Sequence, residues 1–430
     1  MATTKKISEL EAITSAANTD LLYIVHDPAG VPTSNKITVQ NLLKTVNAQA
    51  IDAKAANAYT NAVAYTDAAI ANISNSFLTP NIVYTGVFNG YPASIPVTSG
   101  QAIYFTENNY VLETSNKYWM ATRFDTYDFD LSGTETLDFN NIGGINDRFR
   151  LGGKGEVLLT DVDLHDITVI TDYFYIRDLP SLETFSANNL AYVGNYFEID
   201  TMDNANTQFN FPNLKTIKGT FYYIYNNVLE NTPQFPALET VDQMYIYWNS
   251  ATQNTMTFDS LRYFGYAGIY QNSGMLAGPE FSALTSFDYF DMNNNDSMID
   301  PPTFPALETV TSSFYFYDHN SVTTAPATPS LVSCNYIGWY GNSSMVNGLD
   351  FSSLKAVYGD VNISSCALDE TSVNYILTTL AGLDGTNGTT SYDSRTVNVS
   401  GGTNAIPGTA GLEAIAILEG RGCTVYYNTP

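Results

Sequence analysis

The chain has 430 residues, 44% of them hydrophobic and 13% aromatic, with a formal net charge of -26 from 43 acidic and 17 basic side chains. That length suits two or three domains or one elongated array, and the charge argues against nucleic acid or an anionic membrane as a partner. Three scattered cysteines (Cys334, Cys366, Cys423) are too few for a disulfide framework or a zinc site, and no apolar run reaches the ~18 residues of a membrane span.

The N-terminus, MATTKKISELEAITSAANTD, lacks the apolar stretch of a secretion signal, so the chain is expected to stay in the cytosol or leave by lysis or a dedicated route. Residues 6–46 read as a compact module. A short amphipathic start leads to a strand in DLLYIVHD, then a Pro/Gly/Ser turn, then KITVQNLLKTV with Thr38 as N-cap of a helix from Val39. The pattern K-I-S-E-L, T-D-L-L-x-I-V, K-I-T-V-x-N-L-L resembles the module that begins many tailed-phage fibre and appendage proteins. The resemblance implies that residues 1–47 attach the chain to other virion structural proteins, usually as a homotrimer.

Residues 48–76 (AQAIDAKAANAYTNAVAYTDAAIANISNS) are Ala-rich and free of Gly and Pro, as a helix of about seven turns requires. Ala56, Val63 and Ile70 fall at heptad a, and Tyr59, Thr66 and Ile73 at d. So little large apolar surface favours association with copies of the chain, a coiled-coil stalk, over a helix docked on its own chain or a disordered linker. In 77–138, strand-like runs broken by NG, YP and SG predict a small all-β connector covering the first coil of a repeat array.

From residue 139 to 368 the sequence repeats. Phe211, Leu214 and Ile217 are followed by Phe235, Leu238, Val241, then Phe258, Leu261, Phe264 and on to Phe351, Leu354, Val357, with Thr328 in place of one Phe. Weaker copies begin at Leu164 and Ala187, and Phe139 starts a first one. From Leu164 the starts lie 23, 24, 24, 23, 23, 23, 24 and 23 residues apart. A fixed period in the twenties predicts a solenoid in which each coil covers the apolar face of the next. Each unit drops Phe, Leu and Val inward at a turn, then runs a period-two strand such as FYYIY or FYFY, so stacked strands make one parallel sheet. Asparagines 226, 249, 272, 295, 320 and 342 just after the strands read as a ladder of corner residues bonding neighbouring backbone. FPNLKTIKGTFYYIYNN resembles the receptor-L-domain type of leucine-rich repeat, L-x-x-L-x-x-V-x-G-x-L-x-I-x-x-N, over about residues 140–365. The resemblance implies a β-solenoid serving adhesion or ligand binding. Phe where Leu is usual, and strands loaded with Tyr, depart from that pattern.

With Phe174, Ile176, Met244, Ile246, Phe314 and Phe316 inward, Tyr173, Tyr175, Tyr245, Tyr247, Tyr315 and Tyr317 point outward, and Tyr222, Tyr270 and Tyr340 join the same face. These nine are the candidate ligand-binding residues. An aromatic sheet face suits cross-strand stacking, a neighbouring subunit, or a glycan or protein ligand, and the sequence leaves the three open. In 369–430, LDETSVNYILTTLAG predicts a helix capped by Asp369, TVNVSGG a strand, TAGLEAIAILEG a second helix and CTVYYN a last strand. This tail looks like the terminal α/β module of other phage and bacterial leucine-rich-repeat surface proteins.

No chemistry stands out. His26, His165 and His319 lie in different regions without metal or triad spacing, and His319 at a repeat corner reads as a solvated turn residue. Asp242, Asp288 and Asp291 lie on or near strands, where paired carboxylates can cleave glycans. The Asp/Asn corner 291–300 lacks the order of a calcium loop. No cofactor, metal or catalytic residue is expected. The expected whole is mainly β: a leucine-rich-repeat-like solenoid with an attachment module, a trimeric stalk and a small α/β cap. The expected function is that of a structural phage fibre, on tail or head, exposed on the virion and binding a host-surface or environmental glycan or protein. The alternatives are a bacterial leucine-rich-repeat adhesin and a fibre-borne polysaccharide depolymerase.

Overall fold

The computed structural model describes the chain from residue 158 to its C-terminus apart from 203 and 252–255, and before that the strand segments 21–26, 33–38, 82–84, 102–105, 110–113, 119–121 and 124–125, with 136–139, 142–145 and 147–152. Residues 48–76 and the helix expected after Thr38 lie outside the described residues. Leu21–His26 and Thr33–Thr38 pair antiparallel, so the strand read in DLLYIVHD has a partner in the segment that carries Lys36 and Thr38.

The repeat is a β-solenoid of about nine coils. Each Phe-Pro-x-Leu stretch is a tight turn in which the Leu N–H donates to the Phe carbonyl, as from Leu238 to Phe235 at 3.2 Å and from Leu307 to Phe304 at 3.3 Å. Pro at the second position presets the φ such a turn needs. The chain then enters a strand that pairs in parallel with the equivalent strand one coil away, from Thr216–Ile224 through Thr240–Tyr247, Tyr263–Tyr270, Ser286–Asn293 and Thr309–Tyr317 to Ser333–Gly338. Register breaks within three of these pairings place one extra residue in Thr216–Ile224 and one in Thr309–Tyr317, so that Val310 and Phe314, four apart, pair with Phe287 and Phe290, three apart, and all four are buried. Along another side of the coils, Thr136–Asp138, Asp161–Asp163, Thr184–Ser186 and Gln208–Asn210 form a second parallel sheet.

Two phenylalanine columns fill the interior. The turn residues Phe211, Phe235, Phe258, Phe281 and Phe304 stack with centroids 5.1–6.0 Å apart and planes within 11°. The strand residues Phe149, Phe174, Phe197 and Phe221 stack at 4.6–5.6 Å. The columns meet edge to face, as at Phe197–Phe211 (5.0 Å, 80°), an arrangement that suits the ring quadrupole. Volume is conserved where the strand residue shrinks: the coil with Ala267 carries Phe264 where its predecessor carries Val241 and Met244. All are buried, and truncation of one such ring costs about 3–5 kcal/mol.

At the corner after each strand the chain takes one residue in the left-handed region. Asp178, Thr201, Tyr225, Trp248, Gln271, Asn294 and Asp318 have φ between 48° and 57°. The next residue is buried and closes the ladder. The Oδ1 atoms of Asn249, Asn272 and Asn295 accept from the backbone N–H of Asn226, Asn249 and Asn272 at 2.9–3.1 Å, while their Nδ2 atoms donate to the carbonyls of Tyr223, Ile246 and Ile269. One rung differs from expectation. His319, fully buried, occupies the place assigned to Asn320 and is no solvated turn residue. Its Nδ1 accepts from Asn295 N–H at 3.2 Å and its Nε2 donates to the Met292 carbonyl at 3.2 Å. Asn320 is exposed and donates instead to Asp296 Oδ1 at 2.6 Å.

The tail has the expected order of elements. Helix Glu370–Gly382, with the Asp369 carboxylate accepting from Ser372 N–H, precedes strand Thr396–Asn398, helix Thr409–Gly420 and strand Thr424–Tyr426. Both strands extend the parallel sheet. Val373, Ile376, Leu377 and Leu418 join the solenoid's hydrophobic core.

Candidate functional site

Register fixes what the outer side of the long sheet presents, because every in-register pairing places like positions side by side. Two adjacent outward columns run along the axis. The first holds Tyr173, Tyr196, Thr220, Gln243, Tyr266, Tyr289, Ser313 and Tyr336, and the second Tyr175, Glu198, Tyr222, Tyr245, Gly268, Asp291, Tyr315 and Gly338.

After the first of these coils the columns are complementary. Where the first column has tyrosine, the second has Glu198, Gly268, Asp291 or Gly338; where the second has tyrosine, the first has Thr220, Gln243 or Ser313. Each coil thus contributes one ring to a ladder that weaves between the columns. From Tyr173 through Tyr196, Tyr222, Tyr245, Tyr266, Tyr289 and Tyr315 to Tyr336, successive centroids are 5.0–6.3 Å apart. The glycines make room for it. A Cβ on Gly338 would lie 2.6 Å from Tyr336 Cε1 and 2.8 Å from Tyr315 Cδ1, and one on Gly268 would lie 3.0 Å from Tyr266 Cε1 and 3.2 Å from Tyr270 Cε1. Gly338→Ala is therefore expected to cost about 1–2 kcal/mol and to weaken the near-UV tyrosine circular dichroism, with the far-UV spectrum unchanged; Gly268→Ala should cost less.

A third outward column lies beside the ladder. It contributes stacked pairs Tyr247–Tyr270 (4.9 Å, 5°) and Tyr317–Tyr340 (4.8 Å, 18°), separated by Asn293. At the corner next to it, Tyr225 and Trp248 are exposed and in contact at 4.7 Å.

All nine tyrosines named from the sequence lie on this side, half-buried. Tyr173 and Tyr175 differ from the rest in being partly covered: Arg148 lies 5.7 Å over Tyr173, while Arg150 and Arg177 lie 5.4 and 5.9 Å over Tyr175, whose hydroxyl accepts from Arg177. Sequence reasoning missed Tyr196, Tyr266, Tyr289 and Tyr336, half of the ladder, together with Tyr225 and Trp248.

The face is electrostatically one-sided. From Thr220 to Leu354 the only lysine or arginine is Arg262. Burial, together with neighbouring phenols and Glu198, pushes the hydroxyl of Tyr247 up to about 12; burial, together with Asp291 and neighbouring phenols, pushes that of Tyr289 up to about 12 and raises those of Tyr266, Tyr270, Tyr317 and Tyr340. The phenols therefore remain protonated and offer O–H donors around the rings. Burial and the nearby Asp200 push the Glu198 carboxyl up to about 7. Asp200 accepts from Thr201 Oγ1 at 2.6 Å and from Tyr175 Oη at 3.4 Å, so it is held among protein donors. Of the carboxylates considered for glycan cleavage, Asp288 accepts from Tyr263 Oη at 2.9 Å and from Thr311, while burial raises the pKa of Asp242 and of Asp291. Among the described residues no group of three His, Cys, Asp or Glu is gathered to hold a metal ion.

The described face is a broad aromatic platform with hydroxyl donors and a few half-buried carboxylates, which equips it for stacking and hydrogen bonding. Compared with protein-family models, curated proteins and solved structures, the chain matches none.

Proposed function

We propose that the chain is a non-enzymatic fibre subunit of a phage virion, homotrimeric, held to the particle through residues 1–47 and engaging a surface glycan or protein through its tyrosine-faced solenoid. The observation that carries the binding role is the uninterrupted tyrosine ladder on the outer side of the sheet. From Phe211 to Phe304 a Phe column already supplies interior stacking, so these coils do not need a second aromatic stack outside. Tyrosine combines a sugar- or protein-compatible ring with a hydroxyl that stays protonated. The fibre assignment rests on the N-terminal sequence pattern and the Ala-rich heptads. The repeat signature L-x-x-L-x-x-V with its corner Asn supports a leucine-rich-repeat-like ancestry for the solenoid.

Light scattering on the full chain and on a chain beginning at Phe77 tests the assembly. A full-length trimer that becomes a monomer on removal of residues 1–76 is the expected result. A monomeric full chain would overturn the trimeric stalk and leave a single-copy adhesin as the better assignment.

A further inference from the structure

We propose that the tyrosine face contains a seat for an organic ammonium group, N-methylated in preference to primary, centred on Asp291; this rests on the reading of the sheet as a binding face. Asp291 lies half-buried in the second outward column, with Gly268 on one neighbouring strand and Tyr315 on the other. Its Oδ1 accepts from Asn293 Nδ2 at 2.7 Å, and Tyr317 lies close enough for its hydroxyl to act on the carboxylate. Neutral neighbours of this kind leave carboxylate lone pairs free. Among the described residues no basic side chain pairs with it, and Arg262 is the only lysine or arginine within Thr220–Leu354.

What surrounds this carboxylate is aromatic. Tyr289 precedes it by two residues on the same strand, Tyr266 stacks on Tyr289 at 5.2 Å, and Tyr315 lies 5.5 Å from Tyr289 on the other side. The charge of Asp291 is felt at the hydroxyls of Tyr266, Tyr270, Tyr289, Tyr317 and Tyr340. A lone negative charge ringed by tyrosines meets both requirements of an ammonium seat: ring faces for the cation's quadrupole attraction and a carboxylate for its charge. Anionic ligands are rejected by the same charge. A methylated ammonium is favoured because it sheds water easily, whereas a primary amine gives up N–H···water bonds that rings do not replace.

The test is a saturation-transfer NMR titration of the full chain with choline, its uncharged isostere 3,3-dimethylbutan-1-ol, and ethanolamine. Choline is expected to bind about tenfold more tightly than either comparator. Asp291→Asn, which keeps shape and hydrogen-bonding size, should lose about tenfold for choline and leave the isostere unchanged, and Tyr289→Leu should weaken choline as well. Asp242→Asn, away from the ring of tyrosines, should change nothing. Equal binding of choline and its isostere, or of wild type and Asp291→Asn, overturns the ammonium seat. If ethanolamine binds as tightly as choline, the preference for methylation falls. Absence of choline binding while a glycan or protein still engages the face overturns this assignment and leaves the proposed binding role standing.

Discussion

Replacing Asn272 by Leu is expected to lower the stability of the solenoid by roughly 4 kcal/mol, while Asn320→Leu changes it by less than about 0.5 kcal/mol. The two asparagines follow strands in equivalent stretches of sequence, so the contrast isolates position in the ladder. Asn272 Oδ1 accepts from Asn249 N–H at 3.1 Å and from Asn249 Nδ2 at 2.8 Å, and its Nδ2 donates to the Ile246 carbonyl at 2.9 Å. Leucine keeps the branched outline, with two bulkier methyl groups in place of Oδ1 and Nδ2, but leaves the Asn249 N–H and the Ile246 carbonyl buried without that partner. Each orphaned group costs about 1–3 kcal/mol, and two of them outweigh whatever leucine gains by burial. Asn320 is exposed and gives up hydrogen bonds with the exposed Asp296 and Ser343 that water replaces. Urea denaturation followed by far-UV circular dichroism reads both. Because a stacked array can lose coils separately, a broadened transition with an early phase is an acceptable form of the loss; an unchanged curve for Asn272→Leu would refute the ladder's role.

That contrast also marks where the sequence was legible and where it was not. The period of 23 or 24 survives because every coil must set the same Phe-Leu-Val wedge against its neighbour, and a chemical requirement repeated in every coil is visible as a pattern of letters. The ladder is a requirement on place. It needs a buried donor and acceptor one residue after the left-handed corner, and a neutral imidazole satisfies both, so at residue 319 the letter changes and an unrelated Asn comes after it. Counting 23 back from Asn342 lands on His319, a signal present in the sequence and overridden by the preference for Asn.

The tyrosine face failed in a related way. Reading each strand alone, alternate residues divide into inner and outer sets, but nothing within one strand says which tyrosine stands beside which. Tyr196, Tyr266, Tyr289 and Tyr336 come into view only with register, since they stand 23, 24 or a sum of such steps from Tyr173. The extra residues after Ile217 and Val310, and inward pairs only three apart such as Phe287 and Phe290, break the alternation, so strict period-two reading fails across them. The complementary spacing of Tyr against Gly, Glu and Asp in adjacent columns is a pairwise property, invisible until the strands are laid side by side.

His319→Asn is expected to remove a pH sensitivity that the wild-type chain carries between about pH 6.5 and 4. Burial, which outweighs the two backbone hydrogen bonds at the ring, holds the His319 imidazole down to about 4. The bonding pattern explains the resistance: Nε2–H points at the Met292 carbonyl and Nδ1 receives Asn295 N–H, so a second proton would set two donors against each other. Phe316, 4.3 Å from the ring, and the flanking rungs Asn295 and Asn342 do not titrate, and the next rung, Cys366, has its thiol pushed up to about 12 by burial. The sign depends on which state holds more protons. Above about pH 6.5 neither does, and the site is neutral in both. As pH falls below that, the unfolded imidazole takes up a proton that the folded one refuses, so stability drops. Below about 4 both are protonated and the loss levels off, at about 3 kcal/mol for a gap of that width. Glu198 and the raised Asp291 and Asp242 work in the opposite direction, gaining stability as pH falls, so the wild-type curve alone sums opposed effects. The difference between wild type and His319→Asn cancels them. Asn restores the rung found at 295 and 342 without a titrating group, so the two proteins should unfold at similar urea concentrations at pH 7.5 and diverge at pH 4.5, the variant being the more resistant. Parallel midpoints across that range would show that the folded imidazole protonates as readily as the unfolded one, and that the His rung opens to water before the coil does.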